Sequence, residues 1–198
     1  MKTKFLFLFT FISFLAFQKV NAKIWRVNNN GYSADFKTLQ DANNNNNVLN
    51  GDTVHLEGSA TAYEGSIINK KLIIIGPGYF LNDNPNTTSS KISAQLSFII
   101  FDPISNGSQL IGVHVGENIN SISINASNIL IKRCKIDYSI ILSFGISDIR
   151  IIQNFFPDLG YTAIKPHASS FPTDVIFNNN VCQKTLIINN DLVHFTRV

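Results

Sequence analysis

Three stretches in the second half of the chain follow one pattern of apolar and polar positions. SNILIKRCKI (127–136), SDIRIIQNFF (147–156) and TDVIFNNNVC (173–182) each open with a hydroxyl residue and Asn or Asp. Each then alternates apolar and outward positions for a few residues and turns. Alternation of period two predicts a half-buried strand, with Ile129/Ile131, Ile149/Ile151 and Val175/Phe177 on its inner face. A shorter copy stands at 108–113, and the column through Ile129 then steps by 19, 20 and 26 residues. A second strand is predicted after each first one, at 121–124, 139–142, 161–164 and 185–188.

Two or three short strands per period, with no helix between them, exclude a βαβ sheet. One period cannot bury its own apolar face, but equivalent strands stacked in parallel build a continuous core. The pattern therefore predicts an all-β fold, a right-handed parallel β-helix. An antiparallel sandwich also offers short strands at regular spacing, and calls for frequent tight hairpin signals. Asn50-Gly51 and Asn106-Gly107 are of that kind, and none follows residue 107. In the solenoid register Cys134, Asn154 and Asn180 form a structural column at the turn after the first strand. Asparagine tolerates left-handed backbone there, and stacked amides can bond one coil to the next.

The first 22 residues read differently. A basic MKTK start, an apolar run over 5–17 and a Val20-Asn21-Ala22 end make an export signal, with cleavage between Ala22 and Lys23. The run is shorter than the ~20 apolar residues of a membrane span. The chain is thus expected to be secreted, periplasmic or held at the cell surface. Removing Lys2, Lys4 and Lys19 leaves 16 − 3 = 13 basic against 13 acidic residues, so the basic balance belongs to the leader. Neither nucleic acid nor an anionic membrane is implied as a partner. Residues 23–52 are expected to hold a strand and a short capping helix, with Phe36, Leu39 and Ala42 at helical spacing, Ser33 as N-cap and Asn43 to Asn47 ending it as a polar loop. Residues 53–198 are expected to form the coils. They stop within strand-like text, which predicts a truncated solenoid or an end covered by a protein partner.

Phe36-x-Thr38-Leu39-Gln40-x-x-Asn43, Gly51-Asp52-Thr53-Val54, Tyr63-Glu64-Gly65 and KLIIIGPG (71–78) resemble the opening of the pectin lyase-like superfamily. The likeness covers roughly residues 24–192, and its start is similar to pectinesterases and secreted β-helix proteins. It implies the right-handed β-helix fold and polysaccharide, especially polyuronate, as ligand class. The paired aspartates of pectinesterases and the Asp-Asp and Gly-His-Gly motifs of polygalacturonases are absent. Pectate lyases need clustered carboxylates for calcium and a basic proton acceptor. Here Asp148 and Asp174 share a column with Asn128 that opens the strand, where turn capping is the expected role. No cofactor or metal is assigned, with calcium at that column the alternative.

The outward rows read Leu130, Arg150, Ile176 and Lys132, Ile152, Asn178, largely apolar with two cations. A covering loop over 157–172 is expected, carrying Lys165 and His167. Speculative ligand-binding residues are therefore Lys132, Arg150, Asn178, Lys165 and His167. His55, His114 and His194 read as ordinary strand residues. Cys134 and Cys182 fall two coils apart, roughly 10 Å at strand spacing, beyond disulfide reach, and are expected as buried free thiols. The functional expectation is a non-catalytic module for binding or display at a carbohydrate-rich surface. An enzyme with an unfamiliar site and a structural spacer of an adhesin are the alternatives.

Overall fold

In the computed structural model, the structure describes residues 22–31, 33–81, 91–116, 121–157, 160, 162–166, 173–183 and 193–196. The leader lies outside them apart from Ala22, as do His167 and the strand expected at 185–188.

Short strands stack into three sheets. The first orders β1 (Ile24–Val27), β2 (Thr53–Leu56), β4 (Ile73–Ile75), β7 (Gln109–Ile111), β10 (Ile129–Lys132), β13 (Ser147–Ile152), β16 (Thr173–Asn178) and β18 (Val193–Thr196). The second holds β5 (Gln95–Leu96), β8 (His114–Val115), β11 (Lys135–Ile136), β14 (Phe155–Phe156) and β17 (Val181–Cys182). The third holds β3 (Ser66–Ile68), β6 (Ile99–Phe101), β9 (Ile122–Ile124), β12 (Ile140–Leu142) and β15 (Ile164–Pro166). Every strand pair among the described residues is parallel, which excludes the antiparallel sandwich. From β4 to β17 the chain visits the three sheets in rotation, and the fold is a parallel β-helix, right-handed as parallel crossovers are.

The core follows from alternation. Val54, Ile74, Leu110, Ile131, Ile151 and Phe177 form one interior column, none more than 6% exposed. Burying each such side chain is worth about 1.5–3 kcal/mol. The register matches Ile129, Ile149 and Val175 as neighbours. It shifts the shorter copy by two residues, because Leu110 lies beside Ile131 rather than Ile129. A two-residue shift keeps the same face inward, so alternation alone could not detect it.

Corners are set by left-handed residues. Gly107, Asn128, Asp148 and Asp174 (φ 82°, 56°, 52° and 57°) stand at the entrance to successive strands of the first sheet. This explains the Asn/Asp column, since these side chains tolerate that conformation best after glycine. At the exit the left-handed residues are Gly112, Arg133, Gln153 and Asn179 (φ 65°, 52°, 58° and 51°). They precede the column of Cys134, Asn154 and Asn180, which is therefore not the left-handed position.

Asn154 and Asn180 instead join coils. The Asn154 Oδ1 accepts from the Cys134 backbone N–H at 2.9 Å, and its Nδ2 donates to the Ile131 carbonyl at 3.0 Å. One coil on, the Asn180 Oδ1 accepts from the Asn154 N–H at 2.8 Å and its Nδ2 donates to the Ile151 carbonyl at 2.8 Å. Each amide thus satisfies a donor and an acceptor of the preceding coil, where sheet hydrogen bonding is broken by the corner.

The short helix α1 (Leu39–Asn44) covers the start of the stack, with Leu39 and Ala42 fully buried. Its N-cap is Thr38, whose side chain accepts from the Asp41 N–H at 3.0 Å, rather than Ser33. Phe36 precedes the helix in an extended bridge to Val27, with its ring 5.5 Å from that of Trp25. The asparagine run contributes the last helical turn as well as the loop, and Asn43 is buried against Asn69. Neither cysteine is in a disulfide, with Cys134 buried and Cys182 only half-buried near the end of the second sheet.

Candidate functional site

The second sheet carries a chemically mixed outward row. Parallel pairing places Gln95, His114, Lys135, Phe155 and Val181 side by side on successive coils. Asp137 follows β11, and its carboxylate reaches back to His114. The Oδ2 lies 2.7 Å from His114 Nε2, while Lys135 Nζ stands 3.4 Å from Oδ1. The reach passes over Gly116, where a β-carbon would stand 2.2 Å from the Asp137 Oδ2. Glycine at 116 is thus what admits the carboxylate. Burial disfavours charge on Asp137, but the hydrogen bond and charge of His114 and the charge of Lys135 outweigh it. They hold the carboxyl below its ordinary value.

An arch of chain completes the site. After β4 the segment Gly76-Pro77-Gly78 leaves the first sheet, and the Gly78 N–H donates to the Gly112 carbonyl at 2.8 Å. The two strands approach so closely at this corner that a β-carbon on Gly112 would lie 2.8 Å from the Gly76 oxygen. Tyr79 and Phe80 then lie over the outward row. Their ring centroids are 6.2 Å and 5.0 Å from that of Phe155, three coils further along the stack. Phe80 takes a left-handed backbone (φ 55°), which costs a bulky residue about 1–2 kcal/mol. Its ring remains 54% exposed despite that cost.

Between arch and sheet lies a cleft of about 250 Å³, lined by Tyr79, Phe80, Leu81, Lys91, Ser93, His114 and Lys135. This is near the lower bound of ~300–1,000 Å³ pockets for drug-sized ligands and suits a unit of one or two rings. Aromatic faces, two lysine ammonium groups, a hydroxyl and an imidazole oriented by a carboxylate converge there. The arrangement can hold an anionic, hydroxylated ring by stacking and charge-assisted hydrogen bonds.

The residues singled out from sequence lie elsewhere. Leu130, Arg150 and Ile176 are neighbours on the first sheet, as are Lys132, Ile152 and Asn178. Lys132 and Asn178 are thus two coils apart. Arg150 pairs with Asp148 at 3.3 Å and borders a depression of about 350 Å³ with Lys71, Gln109, Asn128 and Leu130. Lys165 is not in a covering loop. It belongs to β15 of the third sheet, beside Ile141, so 164–166 cannot lie over the first sheet. His114 is a strand residue, as expected, and in addition meets Asp137, a partner 23 positions away that the strand pattern does not point to. The signal available was the column after the exit corner, which aligns His114, Lys135 and Phe155.

Among the described residues no three His, Cys, Asp or Glu side chains gather as a metal site, and no helix is long and apolar enough to cross a membrane. Compared with family models, curated proteins and solved structures, the chain matches none.

Proposed function

We propose that the protein is an exported β-helix module that binds an acidic saccharide in the cleft over the second sheet, without turning it over. The observation that carries this reading is the convergence of Tyr79, Phe80, Lys91, Ser93, His114 and Lys135 in one cleft. Parallel β-helix folds are in general consistent with carbohydrate binding, and the opening segments resemble the pectin lyase-like superfamily. The strained, exposed Phe80 supports a ligand-facing role, since strain persists where a site uses it.

A titration of the purified protein with polygalacturonate, a sulfated glycan and a neutral glucan tests the proposal. Binding to an acidic polymer should weaken with salt and fall about tenfold in Lys135→Gln, the equivalent of ~1.4 kcal/mol. Equal affinity for the neutral glucan would sink the acidic assignment. The His114–Asp137 contact of 2.7 Å favours a second reading, an enzyme in which an oriented imidazole moves a proton. Shortened or unsaturated products, abolished by His114→Ala, would select it over binding alone.

A further inference from the structure

The other end of the molecule carries an independent observation. Lys23 is exposed, yet it is held at three points, two through its backbone and one through its side chain. Its N–H donates to Asp52 Oδ1 at 2.8 Å, its carbonyl accepts from the Thr53 N–H at 2.9 Å, and its Nζ stands 3.3 Å from the centroid of the Trp25 ring. Asp52 is only 3% exposed. Its Oδ2 is already used, accepting from Trp25 Nε1 at 2.8 Å and from the Leu49 N–H at 2.9 Å. The Oδ1 therefore faces Lys23 nitrogen. Asp52 thereby joins β1, the loop after α1 and the start of β2, the elements that close the N-terminal end of the solenoid. Ala22, on the other side of the peptide bond, is exposed.

We infer that Asp52 is the receptor for a new α-ammonium group, created when the leader is removed between Ala22 and Lys23, and that processing thereby locks the solenoid cap. In that step an export peptidase adds water across the Ala22–Lys23 peptide bond. The water oxygen goes to the Ala22 carbonyl carbon as a carboxylate, and the Lys23 nitrogen departs as –NH₃⁺. A neutral donor to Asp52 becomes a charged one in place, without moving the chain. Charge-assisted hydrogen bonds are roughly twice as strong as neutral ones. The leader's removal thus leaves the cap tighter, where a new chain end would ordinarily fray.

The test uses the full chain expressed in an exporting host. Mass spectrometry of the product reads its first residue, and Lys23 is expected. A mature chain starting elsewhere overturns the processing half of the inference. The second measurement is the rate at which the α-amine is acetylated near neutral pH, in the wild type and in Asp52→Asn. The wild-type amine should react about tenfold more slowly, one pKa unit's loss of free base. Equal rates overturn the lock. If Asp52→Asn does not fold, the pH dependence of wild-type melting decides. An ammonium held by Asp52 has a raised folded pKa, so its stabilisation is present below the ordinary α-amino value of about 7.7–8.0 and lost as pH rises through the folded one. The same chain with a neutral acetylated N-terminus should show no such loss, and a loss of equal size in both overturns the inference. None of these outcomes depends on the cleft or its ligand.

Discussion

Replacing Asn154 with alanine tests how the coils are held together. The side chain is 1% exposed and makes bonds with the Cys134 N–H, the Ile131 carbonyl and the Asn180 Oδ1. Truncation leaves the Cys134 N–H and the Ile131 carbonyl without the amide, in a corner where both residues are fully buried. An orphaned buried donor or acceptor costs about 1–3 kcal/mol. The carbonyl retains a second lone pair, so its share falls at the lower end of that range, and the sum is about 2–4 kcal/mol. Urea unfolding followed by circular dichroism should show this as a midpoint lower by ~1–2 M, for a slope of about 2 kcal/mol per molar. The comparison that gives the test its edge is glycine. If asparagine served only as a left-handed corner residue, Asn154→Gly would be harmless. The left-handed residue is Gln153, so Asn154→Gly should be at least as damaging as alanine. Gln153→Gly should change stability by no more than about 1 kcal/mol, because relief of the left-handed cost offsets the entropy of glycine. A harmless Asn154→Gly would refute the inter-coil role.

Two further outcomes follow from the buried groups. Asp52 and Asp137 are both held below the ordinary carboxyl value of 3.8, so their stabilisation is complete above it and is lost as pH falls through the lower folded values. Melting should therefore fall below about pH 4, less steeply in Asp52→Asn, and an unchanged acid slope in that variant would remove Asp52 from the account. Burial pushes the Cys134 thiol up to about 12, so iodoacetamide at about pH 8 should label Cys182 first and reach Cys134 only on unfolding. Peptide mapping that finds both labelled at equal rates in the folded protein would contradict the burial of Cys134.

What the sequence determined by itself is the stacking unit. Period-two alternation in ILIK, SDIRII and TDVIFN states which residues face inward, and a spacing near twenty residues states that equivalent strands must lie side by side. Both are local consequences of the pleat and of the need to bury an apolar face. The same logic aligned Leu130 with Arg150 and Ile176 correctly. It failed where a shift preserves parity, as at Leu110, because two registers then bury the same side chains equally well. It also failed at α1, where Ser33 was the expected cap and Thr38 is the observed one. Phe36, bridged to Val27 in extended backbone and packed on Trp25, keeps the residues before Thr38 out of the helix.

The cleft belongs wholly to the tertiary structure. Tyr79 and Phe80 meet Phe155, and His114 meets Asp137, across separations that no local rule connects. Those contacts exist because residues 76–81, after β4, run over the outward row, and because Gly116 leaves space for a carboxylate from the next coil. In a solenoid the inner face is dictated by the repeat, since every coil must bury the same positions. The outer face is under no such constraint. What stands there is decided by which residues successive coils and their insertions bring together in space.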